Sequence, residues 1–407
     1  MRIALIAPFG LRAKGTTRVR VLPLGRELAR RGHTVALFIP PYDSVEDSDR
    51  RWTDHGVDVI NVALPRFGRG SAAWHLWLVW RLLRAVVAWQ PDGVHVFKPK
   101  GPSGLAGTAL WLMRRLRLSP CHRVTVSPRP LVSLFPCLLV TDSDDWEGPG
   151  GWNDDPRLGY SPLMRCFFAW QERFGLSHAD AWTVASACLR DRAIQLGAAP
   201  DRVFFLPNGV PASSFQLPAP QSAVCNPQSA ILYTRFAGVR PADVTAIWAA
   251  VRERAPEAML TVIGRGLAGE ERELAWLPVI EAAGWIEPEQ MPVLFAKTGL
   301  AVIPWTDTPA NRARSSVKVR ELMAAGLPIV AYAVGELPAT LGDEGVLVPP
   351  GDAAAFADAV VALMADPDRA QRLGEAARER AQAKFSWAKL VDVVLGAYQA
   401  SSAKREA

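Results

Sequence analysis

Residues 311–328 read NRARSSVKVRELMAAGLP, which predicts a loop, a short helix and a glycine stop. Ser315 or Ser316 supplies the N-cap, and Gly326 with Leu327-Pro328 ends the helix. Lys318 and Glu321 stand three apart and share one face near the helix N-terminus. That face joins a cation, unpaired backbone N–H groups and a carboxylate. It suits a ligand with phosphate at one end and hydroxyls beside it, because a helix N-terminus attracts anions and a carboxylate accepts hydrogen bonds from a diol. A nucleoside diphosphate has that chemistry. A solvated face of an ordinary amphipathic helix has the same residues, so the rest of the chain must decide.

At 407 residues, with 49% hydrophobic content, the chain is long enough for two cores. Its five cysteines lack CxxC pairs, and no signal peptide precedes Met1-Arg2-Ile3. The expectation is a reducing, cytoplasmic compartment without a zinc site. Charge is uneven: residues 1–136 carry 21 Lys and Arg against 8 Asp and Glu, while the whole chain has a net charge of +6. A basic first half facing an acidic second half suggests an anionic partner, either a membrane surface or a phosphorylated acceptor. No nucleic-acid motif or aromatic RNA signature is present, so no nucleic acid is expected as a partner.

From the N-terminus, short apolar runs predict buried parallel strands at residues 2–7, 34–39, 57–62 and 93–97. The loop holding Lys14, Gly15 and Thr16 lies where the first strand feeds a helix, a position at which α/β folds bind ligands. It is not GxGxxG, which argues against a dinucleotide cofactor. Residues 71–91 form an apolar helix interrupted by Arg81 and Arg84, too short to span a bilayer comfortably. Trp74, Trp77 and Arg81 recur at helical spacing, which fits either a core helix or one lying at a membrane interface. Residues 119–136 carry four prolines and read as an irregular insertion. The strand at 137–141 runs into Asp142, Asp144, Asp145 and Glu147. Such a cluster can bind a divalent cation, grip sugar hydroxyls or form a solvated turn.

A helix over 162–177 and strands over 181–185 and 201–210 complete the first array. Residues 211–228, rich in Pro, Ser, Ala and Gln, form a linker. A second array then has strands at 230–234, 259–263, 284–286, 300–303, 328–333 and 345–350, with a helix over 241–254. Two successive βα arrays predict an α/β chain whose ligands sit at the carboxyl ends of the strands.

These residues together are familiar. The PNGV turn at 207–210, the GRG turn at 264–266, the KVRELMAAGLPIVA block from Lys318 and GVLVPPGD from Gly345 resemble glycosyltransferase family 4, retaining enzymes of the GT-B fold. The resemblance implies two Rossmann-like βαβ domains facing across a cleft: an acceptor domain over 1–210, a linker over 211–228, a sugar-nucleotide domain over 229–384 and a last helix over 385–407 crossing back to the first domain. It implies that Glu321 binds the donor ribose and that Arg235 and Lys318 neutralise the leaving diphosphate, with Arg240 in the place of a partner lysine. Gly335 and Glu336 resemble the loop that touches sugar and phosphate, and Ser315, Ser316 and Gly264 join the donor set. Gly15 and Thr16 would approach the phosphates from the first domain. The family does its electrostatic work with side chains and a helix dipole, so no metal cofactor is expected; the nucleoside-diphosphate sugar is a substrate.

Two departures stand out. Where the family often has the first of two glutamates, this chain has Ala313, leaving Asp307 or Asn311 as stand-ins. Where the family commonly has a histidine at a first-domain strand end, the chain has Asp142 to Asp145, so Asp144 or Asp145 is expected to contact sugar or acceptor. His95 and His122 are read as structural. The expected activity is transfer of a sugar from its nucleotide to an acceptor hydroxyl, with a lipid-linked or cell-envelope acceptor preferred and with peripheral contact at the inner face of an anionic membrane. A sugar-nucleotide epimerase of the same fold and a non-catalytic nucleotide-sugar-binding protein are the alternatives.

Overall fold

Fourteen strands and thirteen α-helices alternate along the chain in a computed structural model that describes residues 1–12, 15–116, 137–215, 226–274, 280–287 and 289–406. Lys14, His122, the insertion expected over 119–136 and most of the expected linker lie outside the described residues. Two compact units emerge. The first comprises Met1–Asp154, Tyr160–Asn208 and Leu390–Ala407; the second comprises Asp155–Gly159 and Gly209–Lys389.

The first unit holds β1 (Arg2–Ile6), β2 (Thr34–Ile39), β3 (Arg51–Asp54), β4 (Val57–Asn61), β5 (Gly93–Phe97), β6 (Leu138–Ser143), β7 (Ala181–Val184) and β8 (Val203–Phe205). Its helices are α1 (Leu22–Arg30), α2 (Ala72–Ala88), α3 (Pro102–Arg115), α4 (Pro162–Ser177) and α5 (Ala187–Gln195). The sheet order is β3-β4-β2-β1-β5-β6-β7-β8, parallel except for the β3–β4 pair. The continuous apolar runs that predict β1, β2 and β5 are the strands buried on both faces. Sequence reading misses β3, because RWTD is polar and mostly exposed. A two-residue turn, His55 (φ 48°) and Gly56 (φ 84°), joins it to β4, and two positive φ values in succession match the twist of a tight hairpin.

Side-chain alternation sorts the helices of this unit. Ile6, Phe38, Val94, Val96 and Leu139 pack against α2 and α3. The small crevice lined by Val96, Leu139, Thr141, Phe174 and Gly175 puts α4 on that same side of the sheet. The opposite side takes Leu5 and Val57, which sit against Gly25 of α1. His95 also points to that side and meets Tyr398, which belongs to the C-terminal helix α13 introduced below.

The second unit holds β9 (Asn226–Tyr233), β10 (Met259–Ile263), β11 (Ile280–Gly284), β12 (Thr298–Ile303), β13 (Ile329–Tyr332) and β14 (Val346–Val348), in the order β11-β10-β9-β12-β13-β14, all parallel. Its helices are α6 (Pro241–Arg252), α7 (Met291–Ala296), α8 (Pro309–Arg312), α9 (Val317–Ala324), α10 (Leu337–Leu341), α11 (Ala353–Ala365) and α12 (Pro367–Phe385). The last helix, α13 (Trp387–Glu406), groups with the first unit from Leu390 onward. The strand expected at 201–210 is confined to Val203–Phe205, the one expected at 284–286 is Ile280–Gly284, and β9 begins at Asn226 inside the expected linker.

Each sheet has one place where strand order reverses: between β1 and β5 in the first, and between β9 and β12 in the second. Loops leaving the carboxyl ends of such strand pairs diverge and open a crevice.

Candidate active site

In the second unit, α9 forms as its residues dictate. Ser316 is the cap, its hydroxyl accepting from the Val319 N–H at 3.4 Å. Gly326 (φ 79°) ends the helix, with Gly326 N–H donating to Met323 O at 2.9 Å and Leu327 N–H to Leu322 O at 3.2 Å, a Schellman stop. Val319, Leu322 and Met323 are buried, leaving Lys318 and Glu321 half-buried on the other face. The Lys318 ammonium lies 4.8 Å from the Tyr233 ring centroid at the end of β9, which brings it beside the strand that leads into Arg235. Arg235 is exposed and, among the described residues, has no hydrogen-bond or ion-pair partner.

The loop that carries Arg235 is braced from three sides. Asn311, fully buried, donates from Nδ2 to Gly238 O at 3.1 Å and to Thr306 O at 2.7 Å. Arg314 donates to Ala237 O at 2.6 Å. Arg157 donates to Phe236 O at 3.3 Å and pairs with Glu270, whose carboxylate also accepts from Ala268 N–H at 2.9 Å. Two glycines are required by space. Gly264 (φ 112°) would place a Cβ 1.8 Å from Thr234 O, and Gly335 (φ 55°) would place one 2.5 Å from the Arg312 Cα. These close approaches seat the GRG turn against the β9 end and the Gly335-Glu336 loop against the residues just before α9. Ser315 and Glu336 are buried there.

Arg240 stands apart. Its guanidinium is exposed and bidentate to Asp243, at 2.8 and 2.7 Å, on the first turn of α6. Of the two stand-ins for the glutamate missing at 313, Asn311 spends its amide N–H group on bracing and keeps Oδ1 buried without a hydrogen-bond partner, and Asp307 pairs with Arg312 at 2.6 and 2.7 Å. Ala313 itself is fully buried.

In the first unit the carboxylates after β6 do three different jobs. Asp142, fully buried, is bidentate to the fully buried Arg20 at 2.8 and 2.6 Å. Arg20 also donates to Asn208 Oδ1 at 3.0 Å and to Leu206 O at 2.9 Å. Thr183 donates to Asp142 at 2.6 Å, and the His95 ring bridges Thr183 and Tyr398 at 3.0 Å on each side. Burial pushes the His95 pKa down to about 4, so the ring is neutral and serves structure.

Asp144 and Asp145 instead surround Lys98, the residue that follows β5 in a left-handed conformation (φ 51°). The Lys98 ammonium contacts Asp145, lies 3.2 Å from Glu147 and 3.7 Å from Asp144, and is 7% exposed. Burial works against its charge, but the three carboxylates outweigh that and hold its pKa well above the usual lysine value. Thr16 donates to Asp144 Oδ2 at 2.8 Å, while Asp144 Oδ1 is buried without a hydrogen-bond donor. Burial pushes the Asp144 carboxyl up to about 6; Lys98 opposes the rise and Asp145 adds to it. Lys100 pairs with Glu147 at 3.0 Å and lies over the Tyr160 and Phe168 rings. Gly15 backs onto the Phe9 ring, 3.1 Å from where a Cβ would stand.

The geometry therefore gathers Thr16, Asp144 and Asp145 at the first switch point, and Arg235, Lys318, Gly264 and Gly335 around the second. Sequence reading missed Lys98, Lys100, Arg157 and Arg20. The first two had a visible signal, the KPKG run directly after a buried central strand. Arg20 had none, since Asp142 is 122 residues away, and although Arg157 pairs locally with Asp155, nothing local points to Glu270, 113 residues on. Among the described residues no cluster of His, Cys, Asp and Glu has metal-site geometry.

Two family models match the chain: the glycosyl transferase 4-like domain over residues 15–209 and glycosyl transferases group 1 over residues 243–366. The chain belongs to this two-domain glycosyltransferase family, and it is a transferase enzyme of GT-B fold. Among its curated relatives is the MMP alpha-(1->4)-mannosyltransferase of Mycolicibacterium hassiacum, 26% identical with 99% of each chain covered. Similar solved structures include sucrose-phosphate synthase from Thermosynechococcus elongatus (TM-score 0.72, 22% identity, 99% of each chain). Another is HepE from Anabaena in complex with UDP and glucose (TM-score 0.63, 15% identity, covering 97% of this chain and 98% of that one).

Proposed function

We propose that the enzyme transfers a sugar from a nucleoside-diphosphate sugar to an acceptor hydroxyl with retention of configuration, and that the acceptor is a lipid-linked or cell-envelope glycan. The observation that carries this reading is the cationic end of the second sheet, where an exposed Arg235, unpartnered among the described residues, stands on a triply braced loop that follows the β9 end against which Lys318 and the capped start of α9 lie. A fixed cation without a protein counter-charge is suited to a leaving diphosphate, whose negative charge grows as the glycosidic bond breaks. Glu321, one turn along the same helix, would accept hydrogen bonds from ribose hydroxyls. HepE, of the same fold, was solved with UDP, which supports a nucleotide at this kind of site.

In the proposed reaction the bond from the sugar C1 to the diphosphate oxygen breaks. The acceptor oxygen bonds to C1 on the same face, and the acceptor proton passes to the departing diphosphate. Arg235 and Lys318 hold the leaving group, and no protein nucleophile or metal takes part. Asp144 Oδ1, buried without a hydrogen-bond donor, would accept from an acceptor hydroxyl that reaches it.

A thermal-shift panel with UDP, GDP, ADP and dTDP tests the donor half. A nucleotide at a hundred times its dissociation constant adds about 2.7 kcal/mol of stability. One of the four is expected to stabilise the wild type and not Glu321→Ala. If none stabilises the wild type, or the variant shifts equally, the assignment of α9 fails.

A further inference from the structure

The helical layer formed by α2, α3 and α4 covers one face of the first sheet, and its outer surface has an unusual composition. A helix on the surface of a water-soluble domain normally turns polar side chains outward. On α2, Trp74, Leu78, Leu82 and Val86 face the core. The outward stripe is nevertheless Leu76 (62% exposed), Trp77 (41%), Trp80 (45%) and Arg84. Trp77 and Trp80 stack at 4.7 Å, Phe67 meets Trp77 edge-on at 6.3 Å, and the Arg84 guanidinium lies 5.4 Å from the Trp80 ring. The neighbouring helices continue the pattern, with Leu112 and Leu116 exposed on and just after α3, and Leu163, Met164 and Trp170 on α4.

Structure corrects the reading of α2 taken from sequence. Trp74 is buried, its indole donating to Pro65 O at 3.0 Å, and Arg81 donates to Ala63 O and Leu64 O at 2.8 and 3.1 Å. Both hold the turn before the helix rather than face outward. The outward residues are the ones one turn away.

Charge completes the pattern. Across α2, α3 and α4 the single acidic side chain is Glu172, which is buried and paired with Arg192. Exposed arginines border the apolar residues: Arg66 and Arg69 in the turn before α2, Arg84 on it, Arg115 on α3 and Arg173 on α4. A face with amphipathic tryptophans, exposed leucines and mainly positive charge around them, its marginal acids Asp154 and Asp180 being paired with Arg165 and Arg114, matches an anionic lipid surface, where indoles settle at the headgroup level and guanidinium groups meet phosphates. No described helix is long and apolar enough to cross a membrane, so the contact is a seat on the surface. We propose that the α2–α3–α4 face of the first unit docks on an anionic bilayer, with Trp77 and Trp80 as its anchor. This deepens the lipid-linked part of the proposed function, and it can be read without any transfer reaction.

The test is co-flotation of the full chain with phosphatidylcholine vesicles, with and without phosphatidylglycerol, in the absence of sugar nucleotide. The wild type is expected to float with the anionic vesicles and to be released by high salt. Trp77→Ser/Trp80→Ser should lower the partition coefficient by about tenfold or more, and Arg84→Glu by about tenfold. Both replace exposed side chains, and a matching circular dichroism spectrum establishes that the fold is intact. Trp52→Ser, an exposed tryptophan on the polar edge strand β3, should float as the wild type does. Failure of the wild type to float on either vesicle overturns the proposal, and so does flotation unchanged in the double variant. A dimer in sedimentation that the double variant dissolves also overturns it, because the face would then belong to a second copy. Nucleotide binding measured on the same preparation keeps this outcome separate from any failure of the donor site.

Discussion

At the end of β5, Lys98 is 7% exposed and shares three carboxylates; at the end of β9, Arg235 is exposed and has no partner among the described residues. Both cations sit at the point where strand order reverses in their sheet. The first unit has closed its charges on one another, through Lys98 with its acids and Arg20 with Asp142. The second holds its loop rigid through Asn311, Arg314 and Arg157 but leaves the arginine at its tip open. A buried, paired cation organises protein. An exposed cation on a fixed loop is available to a ligand, and it costs little reorganisation when charge develops there.

Substitution should separate the two roles. Lys98→Met leaves Asp144 and Asp145 without their counter-charge and Glu147 with Lys100 alone, and is expected to destabilise the first unit by about 3–5 kcal/mol, read as a fall in the denaturant midpoint. If stability is unchanged, Lys98 is not the organiser it is taken to be. Arg235→Ala should do the reverse: a melting temperature like that of the wild type, and a rate of transfer lowered about a hundred- to a thousand-fold. An active Arg235→Ala enzyme would remove the electrostatic basis of the proposed reaction. The third probe is pH. Burial lowers the His95 pKa from 6.5 to about 4, so between those values the unfolded chain binds a proton that the folded chain does not. The stability from this group is complete above pH 6.5 and is lost as pH falls towards 4, by about 3 kcal/mol in all. Asp144, raised from 3.8 to about 6, acts in the opposite sense over much of that range. The quantity to measure is therefore the difference between wild type and His95→Gln: the stability of the wild type relative to the variant should fall as pH drops from 6.5 towards 4. Parallel pH profiles would show that the ring is not held neutral.

What could be read from the sequence follows the range of the forces involved. Caps, stops and fully buried strands depend on residues a few positions apart, so Ser316, Gly326, β2 and β5 were all legible. The hairpin strand β3 was not, because its polar residues lack the apolar signature and its turn is His-Gly. At the candidate site, Lys318 and Arg235 stood out through motif and position. The acids that turn Lys98 inward are 46 to 49 residues further on, and nothing local distinguishes that lysine from one in a solvated loop. Trp74 and Trp77 looked equivalent by spacing; only the packing of α2 shows that one faces the core and the other faces out.

The network from Arg20 through Asp142, Thr183 and His95 ends on Tyr398, and the helix that carries Tyr398 also buries Val391, Val394 and Ala397. His95 and Tyr398 are 303 residues apart. During synthesis, then, the first unit emerges from the ribosome well before the helix that completes it. Its sheet must wait with an apolar face and a buried histidine uncovered while the entire second unit is made. That interval is when such surfaces aggregate or engage chaperones. A chain stopped before Leu390 would lose no strand of either sheet, yet it would remain in that waiting state.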